Sequence, residues 1–73
     1  MVLNLEHLEA LEIFAESGSF AKAATRLNKV RSAVSYDIRV LEESLGVPLL
    51  DRSGYRAELT PIGKRVVERT RHL

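Results

Sequence analysis

Four polar side chains recur at helical spacing within residues 31–43: Ser32, Ser35, Tyr36 and Arg39. Hydroxyl and guanidinium groups form the hydrogen bonds that base edges and phosphate oxygens require. A helix face that meets only solvent more often carries Glu, Lys and Gln, which are better helix formers than Ser and Tyr. This face is therefore predicted to contact a partner.

The distribution of charge indicates what that partner is. The chain carries 11 Lys and Arg against 10 Asp and Glu, and this net charge of +1 does not by itself point to nucleic acid. Residues 1–20, however, hold four glutamates and no Lys or Arg, whereas residues 21–40 hold five basic residues against Asp37 alone. The basic segment includes the polar face, as a polyanionic partner such as DNA would need. Asp37 would be repelled by DNA and is expected to face away from it.

Length and cysteine content bound the class of protein. A chain of 73 residues without cysteine forms one small domain that has neither disulfides nor thiolate chemistry. Its N-terminal residues are acidic where a signal peptide is basic, and its apolar runs are too short to cross a bilayer. We expect a soluble, cytoplasmic protein that does not contact the membrane.

Patterns that would indicate catalysis or metal binding are weak. His7 and His72 lie at opposite ends of the chain without a metal-ligand spacing, and His7 is expected to be exposed on the first helix. Glu42 and Glu43 are adjacent, so on a helix they diverge and cannot share one substrate. Glycine-rich phosphate loops and nucleophile elbows are absent from the sequence. We expect no enzymatic activity, no cofactor and no metal.

Capping signals divide the first two thirds of the chain into three helices. Asn4 can cap the first helix, which Gly18 ends, and Ser19 can cap a short second helix. Asn28 can close that helix in the left-handed conformation, so that a tight turn leads into a third helix that Gly46 stops. In the second helix, the small pair "AA" permits the close approach that two steeply crossing helices need.

A hairpin and a fourth helix follow. Residues 49–60 alternate around "SGY" as a short hairpin, and Thr60 with Pro61 forms the N-cap and first position of a helix that runs to the end of the chain. The predicted fold is all-α with a small β-hairpin wing, a winged helix-turn-helix. We place the helix-turn-helix at about 20–39 and the recognition helix, which enters the major groove, at about 31–45.

The segments "GSFAKAATRL", "SAVSYDIRVLEESLGVPLLDR" and "LTPIG" carry a family resemblance. In their order and spacing the chain resembles the N-terminal domain of LysR-type transcriptional regulators. The resemblance implies a bacterial regulator that binds operator DNA through residues 1–60. It also implies that residues 61–73 are the truncated start of a linker helix that pairs two subunits. A C-terminal domain, absent here, would bind a small-molecule inducer.

Several positions depart from the family pattern. Val30 replaces a capping Ser, so the third helix is expected to have a frayed or shifted start. Arg31 replaces a Gln, Tyr36 and Asp37 replace Arg-Gln, and Ala21 replaces a hydroxyl residue. The base preferences of other members therefore do not transfer to this chain.

Each residue of the predicted reading face has two possible roles. The planar fork of Arg31 matches guanine O6 and N7, or it contacts phosphate. Ser32 and Ser35 either donate to bases and phosphates or serve as small spacers. Tyr36 offers its ring to a thymine methyl and its hydroxyl to phosphate, or it packs against the wing. Arg39 reaches phosphate, or the glutamates that follow it hold it in a surface pair.

Three further cations complete the predicted site. Lys22 lies near the start of the second helix, which crosses the DNA backbone in this motif. Arg52 and Arg56 flank the wing tip and are predicted to reach the minor groove, with a solvated hairpin charge as the alternative for each. Arg52 matches the wing Arg of the family. A protein-interaction module without specific DNA binding is the competing reading of the whole fold.

Overall fold

The computed structural model describes residues 4–71 and has the predicted architecture. The elements are α1 (Leu5–Ser17), α2 (Phe20–Leu27), α3 (Arg31–Leu45), β1 (Leu50–Asp51), β2 (Glu58–Leu59) and α4 (Pro61–Thr70). The prediction of four helices with a hairpin between the third and fourth is confirmed. None of the helices described between residues 4 and 71 has the length and apolar character needed to span a membrane.

The predicted caps form by local hydrogen bonds. Asn4 Oδ1 accepts the Glu6 N–H at 2.8 Å and Ser19 Oγ accepts the Lys22 N–H at 3.2 Å, which begins α1 and α2. Asn28 adopts φ 56° and ψ 46°, the left-handed conformation that ends α2 and turns the chain toward α3. The tight turn between the two helices is therefore confirmed.

The start of α3 is not shifted, although the lack of a capping residue at Val30 predicted a frayed or shifted start. The helix begins at Arg31, with the Val30 carbonyl accepting the N–H groups of Ala33 and Val34 at 3.1 and 3.3 Å. Val34 is fully buried and anchors the first turn in the core. Tertiary packing thus holds the first residue of α3 in place although Val30 supplies no side-chain cap.

The core lies between α1, α2 and α3. Ala23 is fully buried at the crossing of α2 with its neighbours, as the need for small residues there predicted. The rings of Phe14 and Phe20 pack with their centroids 4.8 Å apart and link α1 to α2. The buried apolar side chains are Ala10, Leu11, Phe14, Ala23, Ala24, Val34, Ile38, Leu41, Leu49, Leu50 and Val67.

The wing is a minimal antiparallel ladder. Leu50 pairs with Leu59 and Asp51 pairs with Glu58, so that the intervening residues form the exposed tip. Asp51 Oδ1 accepts two hydrogen bonds from Ser53, one from its backbone N–H at 2.9 Å and one from its hydroxyl at 2.6 Å. Both bonds stiffen the turn. These two bonds lower the pKa of the Asp51 carboxyl.

The base of the wing is joined to α4 by Thr60. Its Oγ1 accepts the Gly63 N–H at 2.9 Å, which confirms the predicted N-cap, and donates to the Pro48 carbonyl at 2.7 Å. Gly63 packs so closely that an added Cβ would collide with the backbone carbonyl of Leu49. Any side chain at position 63 would therefore displace α4 from the wing.

The apolar stripe of α4 is only partly covered within this chain. Val67 is buried and Val66 is half-buried, whereas Ile62 remains 40% exposed. Leu73 and His72 lie outside the described residues. The part of α4 that is described thus retains apolar surface without cover from its own domain.

Candidate nucleic-acid interface

The exposed side of α3 carries the predicted reading face. Arg31, Ser32 and Arg39 are exposed, Tyr36 is 65% exposed and Ser35 is half-buried. The opposite side of the helix buries Val34, Ile38 and Leu41. Core packing therefore presents all five predicted residues to the outside, and the exposure of Tyr36 disfavours its alternative role of packing against the wing.

The wing tip meets the N-terminal ends of α2 and α3. Arg31, Tyr55 and Arg56 line one open cleft of about 370 Å³ together with Ser19 and Ala21. Tyr55 and Arg56 are both exposed there. The tertiary structure therefore places two arginines, one from the recognition helix and one from the wing, around a single concave surface.

Lys22 lies in the first turn of α2, directly after the residues that line this cleft. Its side chain is exposed. The helix start next to it presents backbone N–H groups, which together with a cation favour a phosphate oxygen. Arg31 and Arg56 line this surface, and Lys22 adds an exposed cation directly after Ala21 in the chain.

Arg52 has a different environment from the one predicted. Its Nη1 donates to Glu42 Oε1 at 3.0 Å, and its Nε and Nη2 atoms are buried. A guanidinium held in this way is turned toward α3 rather than toward the wing tip. This contact disfavours both the predicted entry of Arg52 into the minor groove and the solvated alternative.

Glu42 is the residue that holds Arg52 and the start of the wing. Its Oε2 accepts the backbone N–H groups of Leu49 and Leu50 at 2.7 and 3.0 Å. Burial raises the pKa of the Glu42 carboxyl, but the hydrogen bonds from Leu50, Leu49 and Arg52 outweigh it and the net pKa is lowered. Because both oxygens are engaged, Glu42 does not hold Arg39 in the surface pair that sequence spacing allowed.

A second charge cluster joins α1, the tight turn and α3. Lys29 Nζ donates to Asp37 Oδ2 at 2.8 Å and also to Glu6 Oε1. The hydrogen bonds to Asp37 and then to Glu6 raise the pKa of the Lys29 ammonium. Asp37 lies on the core side of α3, away from the reading face, as its charge predicted.

His7 also contributes to this cluster, contrary to the expectation that it would be exposed. Its Nε2 lies 3.7 Å from Asp37 Oδ1, and only 19% of its side chain is exposed. The packing of α1 against α3 brings the two residues together. Within residues 4–71, His, Asp and Glu side chains do not gather in the groups of three that would hold a metal ion.

Sequence reasoning missed the roles of Glu42 and Lys29. Glu42 lies in the "LEE" segment of the family motif. Its partners Leu49, Leu50 and Arg52 follow seven to ten residues later, beyond the end of α3, so helical spacing does not connect them to Glu42. Lys29 was counted only as one of the basic residues of its segment. The separation of eight residues between Lys29 and Asp37 spans a turn, so helical periodicity does not connect them.

A short helix crossing a longer one, an exposed polar face on the longer helix and a hairpin beside it define a winged helix-turn-helix DNA-binding domain. The family model described as bacterial regulatory helix-turn-helix protein, lysR family, matches residues 5–64. The chain therefore belongs to the LysR family and is its helix-turn-helix DNA-binding domain.

Named transcriptional regulators are similar to this chain in sequence. The probable HTH-type transcriptional regulator YhaJ of Escherichia coli is 46% identical over 71 residues, which are 97% of this chain and 24% of that protein. The HTH-type transcriptional regulator PunR of the same species is 50% identical over 56 residues, which are 77% of this chain and 18% of that protein. This chain thus spans about a quarter or less of the length of these regulators.

Solved structures share the fold. DarR of Vibrio fischeri, crystallised in complex with DNA, superposes with a TM-score of 0.90 at 35% identity, over 99% of this chain and 25% of that one. The BenM DNA-binding domain in complex with catB site 1 DNA gives a TM-score of 0.88 at 33% identity, over 96% of this chain and 78% of that one. Both structures were solved with DNA bound to a LysR-type domain.

Proposed function

We propose that this domain reads an operator with α3 in the major groove and the wing tip on the adjacent minor groove. The observation that carries the proposal is the cleft where Arg31 of α3 and Arg56 of the wing converge. Cationic side chains from a recognition helix and from a wing that line one concave surface form an arrangement that can embrace the phosphate backbone between two grooves. Arg31 and Arg56 supply that arrangement from two elements.

The exposed residues of α3 are proposed to contact different parts of the DNA, according to side-chain length and position on the helix. Arg31 lies in the first turn, where side chains point at base edges, and its fork pairs with guanine O6 and N7. Ser32 and Ser35 are short enough to let the helix sit deep while donating to bases or phosphates. Tyr36 offers its ring to a base or sugar, and Arg39 contacts the phosphate backbone farther along the helix.

The flanking contacts come from α2 and the wing. Lys22 neutralises a phosphate where α2 crosses the backbone, next to the helix N-terminus that favours the same anion. Arg56 and Tyr55 lie at the exposed tip and contact the minor groove, whose narrow A·T tracts attract guanidinium groups. We leave Arg52 out of this proposed set, because its Nη1 donates to Glu42.

We further propose that the whole protein is a cytoplasmic homodimer paired through α4. The division of the chain into a DNA-binding unit, residues 1–60, and a linker helix beginning at residue 61 is part of this proposal. The half-covered stripe of Ile62 and Val66 supports it, since a second copy of the helix would bury that surface. A small-molecule inducer would bind a domain beyond this chain.

Binding-site selection on randomised duplexes, followed by chemical interference on the selected duplex, tests the placement. We expect a preferred half-site in which N7 methylation of one guanine blocks binding. Modification of the minor groove about half a helical turn from that guanine should also block binding, because the wing tip is proposed to lie there. Equal affinity for selected and random duplexes would overturn specific reading, and interference confined to the minor groove would overturn the placement of α3.

A further inference from the structure

Val30 is an exposed apolar residue at the N-terminal end of the recognition helix. Its side chain is 68% exposed, although it occupies the N-cap of α3. Oxygen-bearing Ser, Thr, Asn and Asp are the preferred residues at this position, because they can accept an N–H of the first turn. Val30 serves neither as a side-chain cap nor as a core residue.

The surroundings of Val30 point toward the proposed DNA surface. Together with Arg31 it borders an open groove whose other wall is Ala21 and Thr25 of α2. The N-terminal residues of a recognition helix are those that contact base edges. The side chain of a valine in that position cannot hydrogen-bond a phosphate or the polar edge of a base, so any contact that it makes is apolar.

Within the major groove, the C5-methyl of thymine is the apolar group that base edges present. We propose that Val30 is a specificity-determining residue that packs on a thymine methyl in a base pair next to the one that Arg31 reads. This inference rests on the proposed placement of α3 in the major groove. It gives the exposed valine a function that a capping serine would not provide.

Replacing thymine by uracil in the selected duplex removes only the methyl group and therefore tests the contact directly. For the unaltered chain, we expect one thymine at which the exchange weakens binding about fourfold, as the burial of one methyl group predicts. For Val30→Ser, thymine and uracil should bind equally at that position. Val30→Thr keeps one methyl group on the side chain and should retain part of the preference.

Two further measurements separate this contact from a structural effect. Urea unfolding should show Val30→Ser to be more stable than the unaltered chain, because a serine N-cap is restored. A loss of thymine preference in a more stable variant cannot be attributed to damage to the fold. Leu5→Ser, which removes another exposed apolar side chain on α1, should leave the thymine preference unchanged.

The outcomes are distinguishable from those for the proposed function. If duplex selection succeeds and each thymine-to-uracil exchange has the same effect on the unaltered chain and on Val30→Ser, the inference is overturned while specific DNA binding stands. Tyr36→Ala, measured in parallel, identifies any thymine whose methyl group contacts the tyrosine ring instead. If selection yields no preferred sequence, both the proposed function and this inference fail.

Discussion

Glu42 and Arg52 join the recognition helix to the wing through a hydrogen bond of 3.0 Å between Oε1 and Nη1. The other oxygen of the same carboxylate receives the N–H groups of Leu49 and Leu50, at the start of the wing. One side chain of α3 thus accepts hydrogen bonds from two backbone N–H groups and from one nitrogen of the Arg52 guanidinium. The position of the wing relative to α3 depends on this carboxylate.

Glu42→Ala is expected to destabilise the fold by about 2 to 4 kcal/mol, because two backbone N–H groups and the Arg52 guanidinium would lose their acceptor. Chemical unfolding measures the loss. Glu43→Ala is the matched control, since Glu43 is the adjacent, exposed glutamate of the same helix. Equal stabilities of the two variants would contradict the role of Glu42.

Stability should fall at acidic pH through the same residue. The pKa of Glu42 in the folded chain lies below its ordinary value of 4.5, so the unfolded chain binds the proton more readily. The contribution is therefore fully present above that ordinary value and is lost as the pH falls through the lowered folded pKa. Unfolding free energies measured from about pH 6 to about pH 3 should decline less steeply for Glu42→Gln than for the unaltered chain.

Arg31→Ala is expected to relax base preference, because a lost bidentate contact to guanine removes about 1 to 3 kcal/mol of discrimination. Selection on randomised duplexes compares the variant with the unaltered chain. Arg39→Ala provides the contrast, since a lost phosphate contact should lower affinity without changing the selected sequence. If Arg31→Ala selects the same sequence at uniformly lower affinity, Arg31 contacts phosphate rather than a base.

Lys22→Ala and Arg56→Ala are expected to reduce the slope of log affinity against log salt by about 1 each, since each removes a cation that neutralises DNA charge, Lys22 at a phosphate and Arg56 in the minor groove. Arg26→Ala, which removes a cation of α2 that pairs with Glu16 at 3.1 Å, should leave the slope unchanged. Arg52→Ala should lower stability without changing the slope. A reduced slope for Arg52→Ala would return that residue to the DNA surface.

Extension of the chain beyond α4 is expected to strengthen binding to an inverted repeat by about 10² to 10⁴ over this chain. Two recognition helices held about 34 to 36 Å apart would engage both half-sites at once. Sedimentation and DNA titration of both versions measure dimerisation and affinity. A monomeric extended version with unchanged affinity would refute pairing through α4.

The helices were predictable because the contacts that begin and end them join residues close together in the sequence. Asn4, Ser19 and Thr60 each cap a helix by bonding a backbone N–H two or three residues away, and Asn28 closes α2 with its own backbone conformation. Such contacts depend on short stretches of chain and are readable from residue type and spacing. Helical spacing likewise identified the polar face of α3.

The contacts that organise the interface were decided by tertiary packing. Glu42 and Arg52 are ten residues apart on different elements, and His7 meets Asp37 only because α1 packs against α3. Sequence spacing offered Glu42 an equally plausible partner in Arg39 and left Arg52 at the wing tip. A long side chain can reach several partners, and the relative placement of the elements determines which one it meets. For the same reason, the convergence of Arg31 and Arg56 on one cleft appeared only in the folded chain.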